Sequence, residues 1–182
     1  MLLDKIIKSK KNYTDETIIK LKHSNKKLII YGAGVYSYVL TNYLKAKGIK
    51  IFKKVVDESF IQSDNLFGIE VISINDILED IDDYNIVIGF TNYPQAIKKL
   101  KKYGFKNIFV IDVPNFLNIP QTFMDYSFVS ENKEDFEKAY NFFEDELSKR
   151  TFIGAINTKL SGDLSHIFNN TKIDNPSFTK QN

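Results

Sequence analysis

Lys27-Leu28-Ile29-Ile30-Tyr31-Gly32-Ala33-Gly34-Val35-Tyr36-Ser37 joins a short apolar run to two closely spaced glycines and then to a helical pattern. Leu28 to Tyr31 has the length and composition of a buried strand, and Gly32 stops it. After the glycines, Tyr36, Val39, Leu40, Tyr43 and Leu44 recur at the spacing of one helix face, and Gly48 stands where a left-handed helix stop is expected. A strand that passes through a glycine turn into a helix is the unit from which open α/β sheets are built.

The same grammar continues downstream. Residues 49–56 read as a second strand, closed by Asp57. A loop containing Gly68 leads to Ser73, which suits the N-cap of a short helix through Ile77, Leu78 and Ile81. Residues 85–90 are almost entirely apolar, as in a parallel strand covered by helices on both faces. Pro94 fits the first turn of a helix with Ile97, Leu100 and Tyr103 inward, while Lys98, Lys99, Lys101 and Lys102 form a solvated face. Gly104 ends that helix, and residues 107–111 form another strand. The pattern predicts an α/β fold, a Rossmann-like parallel sheet with flanking helices over residues 27–113.

On either side the pattern changes. Residues 1–26 carry apolar pairs among lysines and read as an N-terminal helical lead-in. Pro114 and Pro120 bracket a loop, and Phe136, Ala139, Tyr140, Phe143 and Leu147 then recur at helical spacing. Ser148 suits the cap of a further helix, with Phe152, Ile156 and Leu160 inward and Gly162 at its end. Residues 114–163 are therefore a loop and helical connector, a C-terminal helical appendage, and residues 164–182 a flexible tail rich in Ser, Thr, Asn and Lys.

Candidate chemistry gathers at the carboxyl ends of the strands, where ligands of open α/β sheets bind. Gly32 permits a tight turn, and Gly34 leaves room for a phosphate at the N–H groups of the helix start, where the dipole favours an anion. Gly32, Ala33, Gly34, Tyr36 and Ser37 are the candidate cradle. Ser37 replaces the third glycine of a dinucleotide fingerprint, and its hydroxyl could bond a phosphate. Asp57, twenty residues beyond Ser37, stands where a carboxylate accepts from ribose hydroxyls. Thr91 and Asn92 follow the third core strand and join the same pocket. The plainer alternatives are a turn that only packs helix on sheet, an Asp57 that opens a polar loop, and an Asn92 that caps the next helix. The implied ligand is a nucleotide, a nucleotide-sugar or NAD.

Composition narrows the rest. A formal charge of +2, from 25 basic and 23 acidic residues, gives no field that calls for nucleic acid. The chain has no cysteine, which excludes disulfides and cysteine nucleophiles and suits a reducing cytoplasm. His23 and His166 lack the neighbours that a zinc site needs, and no serine, histidine and aspartate set is readable. The N-terminal apolar pairs are too short for a secretory segment, and no run approaches the ~20 apolar residues of a membrane span.

Two pieces of the chain resemble the region upstream of the catalytic domain in FkbM-type methyltransferases. One is Lys27-Leu-Ile-Ile-Tyr-Gly-Ala-Gly34 with the segment that follows it to about Val113. The other is Asp145-Glu-Leu-Ser148 with Phe152 and Leu160-Ser-Gly-Asp163, which looks like the helical connector before the methyl-transfer domain. The resemblance implies a bacterial enzyme that methylates a sugar or other hydroxyl in polysaccharide or natural-product assembly, with S-adenosylmethionine bound only in a later domain. No second Gly-rich turn follows residue 163, so the chain is expected to be the preface alone, and none of that family's catalytic residues carries over. Ile30, two places before the first glycine, stands where methyl-donor turns usually carry an acid. Expected partners are a nucleotide-type small molecule and a downstream methyltransferase domain or a second copy. Two other classes stay open: a small NAD-dependent sugar-modifying enzyme, which lacks an evident catalytic pair, and a structural scaffold whose exposed aromatic residues in the 114–160 region meet another subunit.

Overall fold

The computed structural model describes residues 2–8, 12–57, 63–90, 92–113 and 124–170. They fall into two compact units: Tyr13–Gln121, and Met1–Asn12 together with Thr122–Asn182.

The first unit is the α/β domain. Its elements are α1 (Tyr13–Lys22), β1 (Lys27–Tyr31), α2 (Val35–Ala46), β2 (Lys53–Val56), β3 (Asn65–Leu66), β4 (Ile69–Ser73), a 3-10 helix (Ile74–Asp83), β5 (Tyr84–Ile88), α3 (Tyr93–Lys102) and β6 (Ile108–Phe109). The sheet runs in the order β3-β4-β2-β1-β5-β6. Every pair is parallel except the β3–β4 hairpin. Without the hairpin strand the parallel order is third, second, first, fourth, fifth, which is the Rossmann order.

Burial explains why these stretches became strands and helices. Ile29, Ile30, Ile86, Val87 and Ile88 are fully buried, as a doubly covered parallel sheet requires. Leu40 and Leu44, one turn apart on α2, are also fully buried and meet Leu28, Ile30 and Val87. Each such aliphatic side chain contributes about 1.5–3 kcal/mol on burial. Ile18 and Leu21 of α1 enter the same cluster, so α1 groups with the sheet while the 3-10 turn Leu2–Lys5 groups with the C-terminal helices. The lead-in of residues 1–26 is thus divided between the two units.

Several boundaries differ from the sequence reading. Ile49 and Ile51 are buried in the core but precede the ladder of β2, which starts at Lys53. The ladder of β6 covers only Ile108–Phe109. The loop around Gly68 is a hairpin: Asn65 pairs with Glu70 and Leu66 with Ile69, and the two turn residues Phe67 and Gly68 have φ of 59° and 73°. Two positive φ values mark the primed turn that matches strand twist, a turn usually written Asn-Gly. Phenylalanine at its first position hides the signal. Ser73 caps the 3-10 helix as expected, accepting from Asn75 N–H while Asp76 accepts from Ser73 N–H.

The second unit holds α4 (Tyr126–Glu131), α5 (Lys133–Phe142), α6 (Glu146–Ser161) and α7 (Ser165–Asn170) around Leu2, Ile6, Val129, Ile156 and Leu160. The helical stripe read through Leu147 is interrupted after Phe142. Asp145, not Ser148, caps α6: its carboxylate accepts the Ser148 N–H at 2.7 Å, a bond that holds its carboxyl below the ordinary range. Gly162 ends α6 in the left-handed region, φ 70°. Residues 165–170 are helical where a flexible tail was expected, and the remainder of that tail lies outside the described residues. No helix among the described residues is long and apolar enough to cross a membrane.

Candidate functional site

β1 lies between β2 and β5, so the connections leaving β1 and β5 depart to opposite sides and open a crevice at the sheet's carboxyl edge. The ladder holds to its very end there. Gly32 N–H donates to Val55 O and Gly89 N–H to Tyr31 O, both at 2.8 Å. Gly32 has φ of 121°, and a Cβ on it would stand 2.9 Å from Phe90 Cδ1 and 3.3 Å from the Gly89 carbonyl oxygen. Both the conformation and the close approach require glycine.

Gly34 is the N-cap of α2, with φ −80° and ψ −170°, and no side chain caps the helix. The first helical bond of this turn runs from Tyr38 N–H to Gly34 O at 3.1 Å, and N–H groups ahead of it have no acceptor inside the helix. A Cβ on Gly34 would meet nothing within 4 Å. The mouth of α2 is therefore open, bare backbone carrying the positive end of the helix dipole.

It opens into a cavity of about 610 Å³. Gly32, Ala33 and Gly34 form one wall, and Val56 and Asp57 close the end of β2. Leu66 and Val71 of the hairpin supply an apolar side, with Phe90 and Gln95 beyond β5. The volume is in the range of small-molecule and cofactor sites.

Asp57 is already engaged. Tyr31 Oη donates to its Oδ1 at 2.9 Å, and Lys99 Nζ lies 2.7 Å from the same oxygen. Burial first, then the bond to Asp57, push the Tyr31 phenol up, so Tyr31 stays a proton donor to the carboxylate. The network fixes the carboxylate at the cavity wall and offsets its charge. Asp57→Ala leaves the Tyr31 hydroxyl without its acceptor and is expected to cost about 1–2 kcal/mol of stability in urea unfolding; wild-type stability would show the network to be incidental.

Of the other residues singled out in the sequence, Gly32, Ala33 and Gly34 line the cavity and three do not. Tyr36 turns into the core: its hydroxyl donates to Ile111 O at 2.6 Å, and burial with the nearby Asp112 charge pushes it up to about 12. Ser37 is fully buried against β5, where a Cβ on Gly89 would stand 3.0 Å from its own. It meets the packing demand of the third fingerprint glycine and is not placed to hold a phosphate. Asn92 is the exposed N-cap position of α3, its side chain making no cap bond. Thr91 lies outside the described residues. Sequence reasoning missed Phe90 and Gln95; it counted Phe90 in the strand 85–90, whereas β5 ends at Ile88 and leaves Phe90 at the carboxyl end where the rule that singled out Thr91 applies. Among the described residues no group of His, Asp and Glu is gathered to hold a metal.

No family model matches the chain, and no curated protein does. Among solved structures, the methyltransferase FkbM from Methylobacillus flagellatus KT is similar over 88% of this chain, with a TM-score of 0.57 and 14% identity. The fold is therefore shared with part of that methyltransferase. The chain spans less than half of its length, 46%.

Proposed function

We propose that the chain is a nucleotide- or nucleotide-sugar-binding accessory module of an FkbM-type methyltransferase acting on sugars or glycans. In this reading Gly34 and the first N–H groups of α2 take the phosphate, and Asp57 takes the ribose hydroxyls through its second oxygen. S-adenosylmethionine and the methyl transfer belong to a domain that follows this one, and the setting is cytoplasmic. The observation that carries the reading is the open helix mouth at Gly34 facing a cavity that also holds Asp57. The likeness of fold to part of an FkbM methyltransferase supports the family in this reading.

The Rossmann strand order favours a second reading, in which the ligand is NAD and the chain belongs to a sugar-modifying oxidoreductase. A thermal-shift panel of nucleotide-sugars, nucleoside diphosphates, NAD, NADP and S-adenosylmethionine separates the two. A ligand at a hundredfold its Kd adds about 2.7 kcal/mol and raises the melting temperature by several degrees. Asp57→Ala is expected to weaken the responding ligand by about 1–3 kcal/mol. No response across the panel would leave a scaffold.

A further inference from the structure

Three exposed apolar side chains stand near the cavity residues along the chain without lining the cavity themselves. Val35 is 76% exposed, Phe67 51% and Tyr38 41%. Val35 follows the cavity residue Gly34 in the chain, and Phe67 follows the cavity residue Leu66. Tyr38 stands one turn beyond Val35 on α2, and its ring centroid lies 4.4 Å from that of Phe67. Phe67 is the one non-glycine among the described residues with positive φ, 59°, a conformation that costs free energy for a side chain of its size.

Beneath the patch is Lys54 of β2. Its side chain is fully buried, and its ammonium has no hydrogen-bond partner among the described residues. The ammonium lies 4.9 Å from the centroid of the Phe67 ring, with Val71, a cavity residue, as the register partner of Lys54. Burial and the charge of Lys45 hold the Lys54 amine below its ordinary range. An aromatic ring held over a desolvated cation is a polarised surface on which another ring can lie.

The order of the sheet says what would lie on it. Going outward from the centre come β1 with the glycine turn, β2 with Asp57, and then the β4–β3 hairpin with Phe67. A nucleotide laid with its phosphate at Gly34 and its ribose at Asp57 brings its base to the hairpin. We propose that Val35, Tyr38 and Phe67 form a base platform beside this cavity, with the Lys54 ammonium bracing the Phe67 ring, and that the ligand is a nucleotide whose base leaves the cavity to lie on it through its face. The proposal rests on the nucleotide reading above.

The test compares UDP and ADP with ribose 5-phosphate and inorganic pyrophosphate by calorimetry, in the wild-type chain, Phe67→Gly and Lys54→Met. Phe67→Gly relieves the positive φ and Lys54→Met keeps the apolar stem without the buried charge, so both variants should melt no lower than wild type. Loss of base stacking weakens at least one nucleoside diphosphate about 5- to 100-fold in Phe67→Gly. Ribose 5-phosphate and pyrophosphate keep their wild-type affinity in that variant. Lys54→Met shows the same selectivity with a smaller loss. Equal weakening of all probes, unchanged nucleotide affinity in Phe67→Gly, or a wild-type chain that binds nucleotides no tighter than ribose 5-phosphate would each overturn the platform while leaving the phosphate cradle standing. No binding of any probe by the wild-type chain would end the reading of the cavity and this subsite with it.

Discussion

Gly32→Ala should unfold the α/β unit at markedly milder conditions, with a loss of roughly 3 kcal/mol. Two independent causes add. A φ of 121° is closed to a residue with a Cβ, which costs of order 1–3 kcal/mol when the fold enforces it. The added methyl would also stand 2.9 Å from the Phe90 ring and 3.3 Å from the Gly89 carbonyl oxygen, an overpacking that costs about 1–3 kcal/mol. The Phe90 ring, packed edge-on to Tyr31 at 5.4 Å, can yield toward the cavity only by giving up that contact, and the Gly89 carbonyl is backbone fixed by the ladder. Gly48→Ala is the matched control: its φ is also positive, 75°, but nothing lies within 4 Å of the new Cβ. Urea unfolding should therefore show Gly32→Ala losing clearly more than Gly48→Ala, and equal losses would show that the close approach at the sheet edge is no constraint.

Gly34→Asp should do the reverse, sparing the fold and abolishing binding. Gly34 has an extended backbone that any residue adopts, and open space where a side chain would go. Aspartate is a good N-cap, so its carboxylate would accept a first-turn N–H and stabilise α2 by a few tenths of a kcal/mol, about the usual gain over glycine. That same carboxylate fills the anion position and repels a phosphate. At ~4 Å and an effective dielectric near 20 the repulsion alone is about 4 kcal/mol. Nucleotide affinity is expected to fall at least about 100-fold while the melting temperature holds or rises. An affinity within a factor of about 3 of wild type would mean that the phosphate is held elsewhere.

The two glycines mark how far the sequence could be read. Their place between an apolar run and an amphipathic stripe was enough to give the strand, the helix and the open mouth, because backbone freedom at such a turn is a local property. The parallel sheet followed from alternation of strands and helices, whereas the strand order around β1 is seen only in the structure. What was not legible depended on side chains meeting across the fold. Tyr36 and Ser37 sit inside the motif, yet burial turns one to Ile111 and packs the other on Gly89. Asp57 was singled out for ribose, and only the structure brings Tyr31 and Lys99 to the same oxygen. The hairpin that completes the cavity was hidden because Phe67 stands where asparagine or glycine usually precedes the turn glycine, even though Ile69-Glu70-Val71-Ile72-Ser73 alternates well enough for a strand.

The open mouth of α2 is best interrogated by the backbone amide resonances of Ala33, Gly34 and Val35 during titration with the nucleotide that gives the largest thermal shift. Saturable, concerted movement of these three amides, lost in Gly34→Asp, is the result expected of a phosphate seated on the helix start. Saturation of the ligand with these amides unmoved would contradict it.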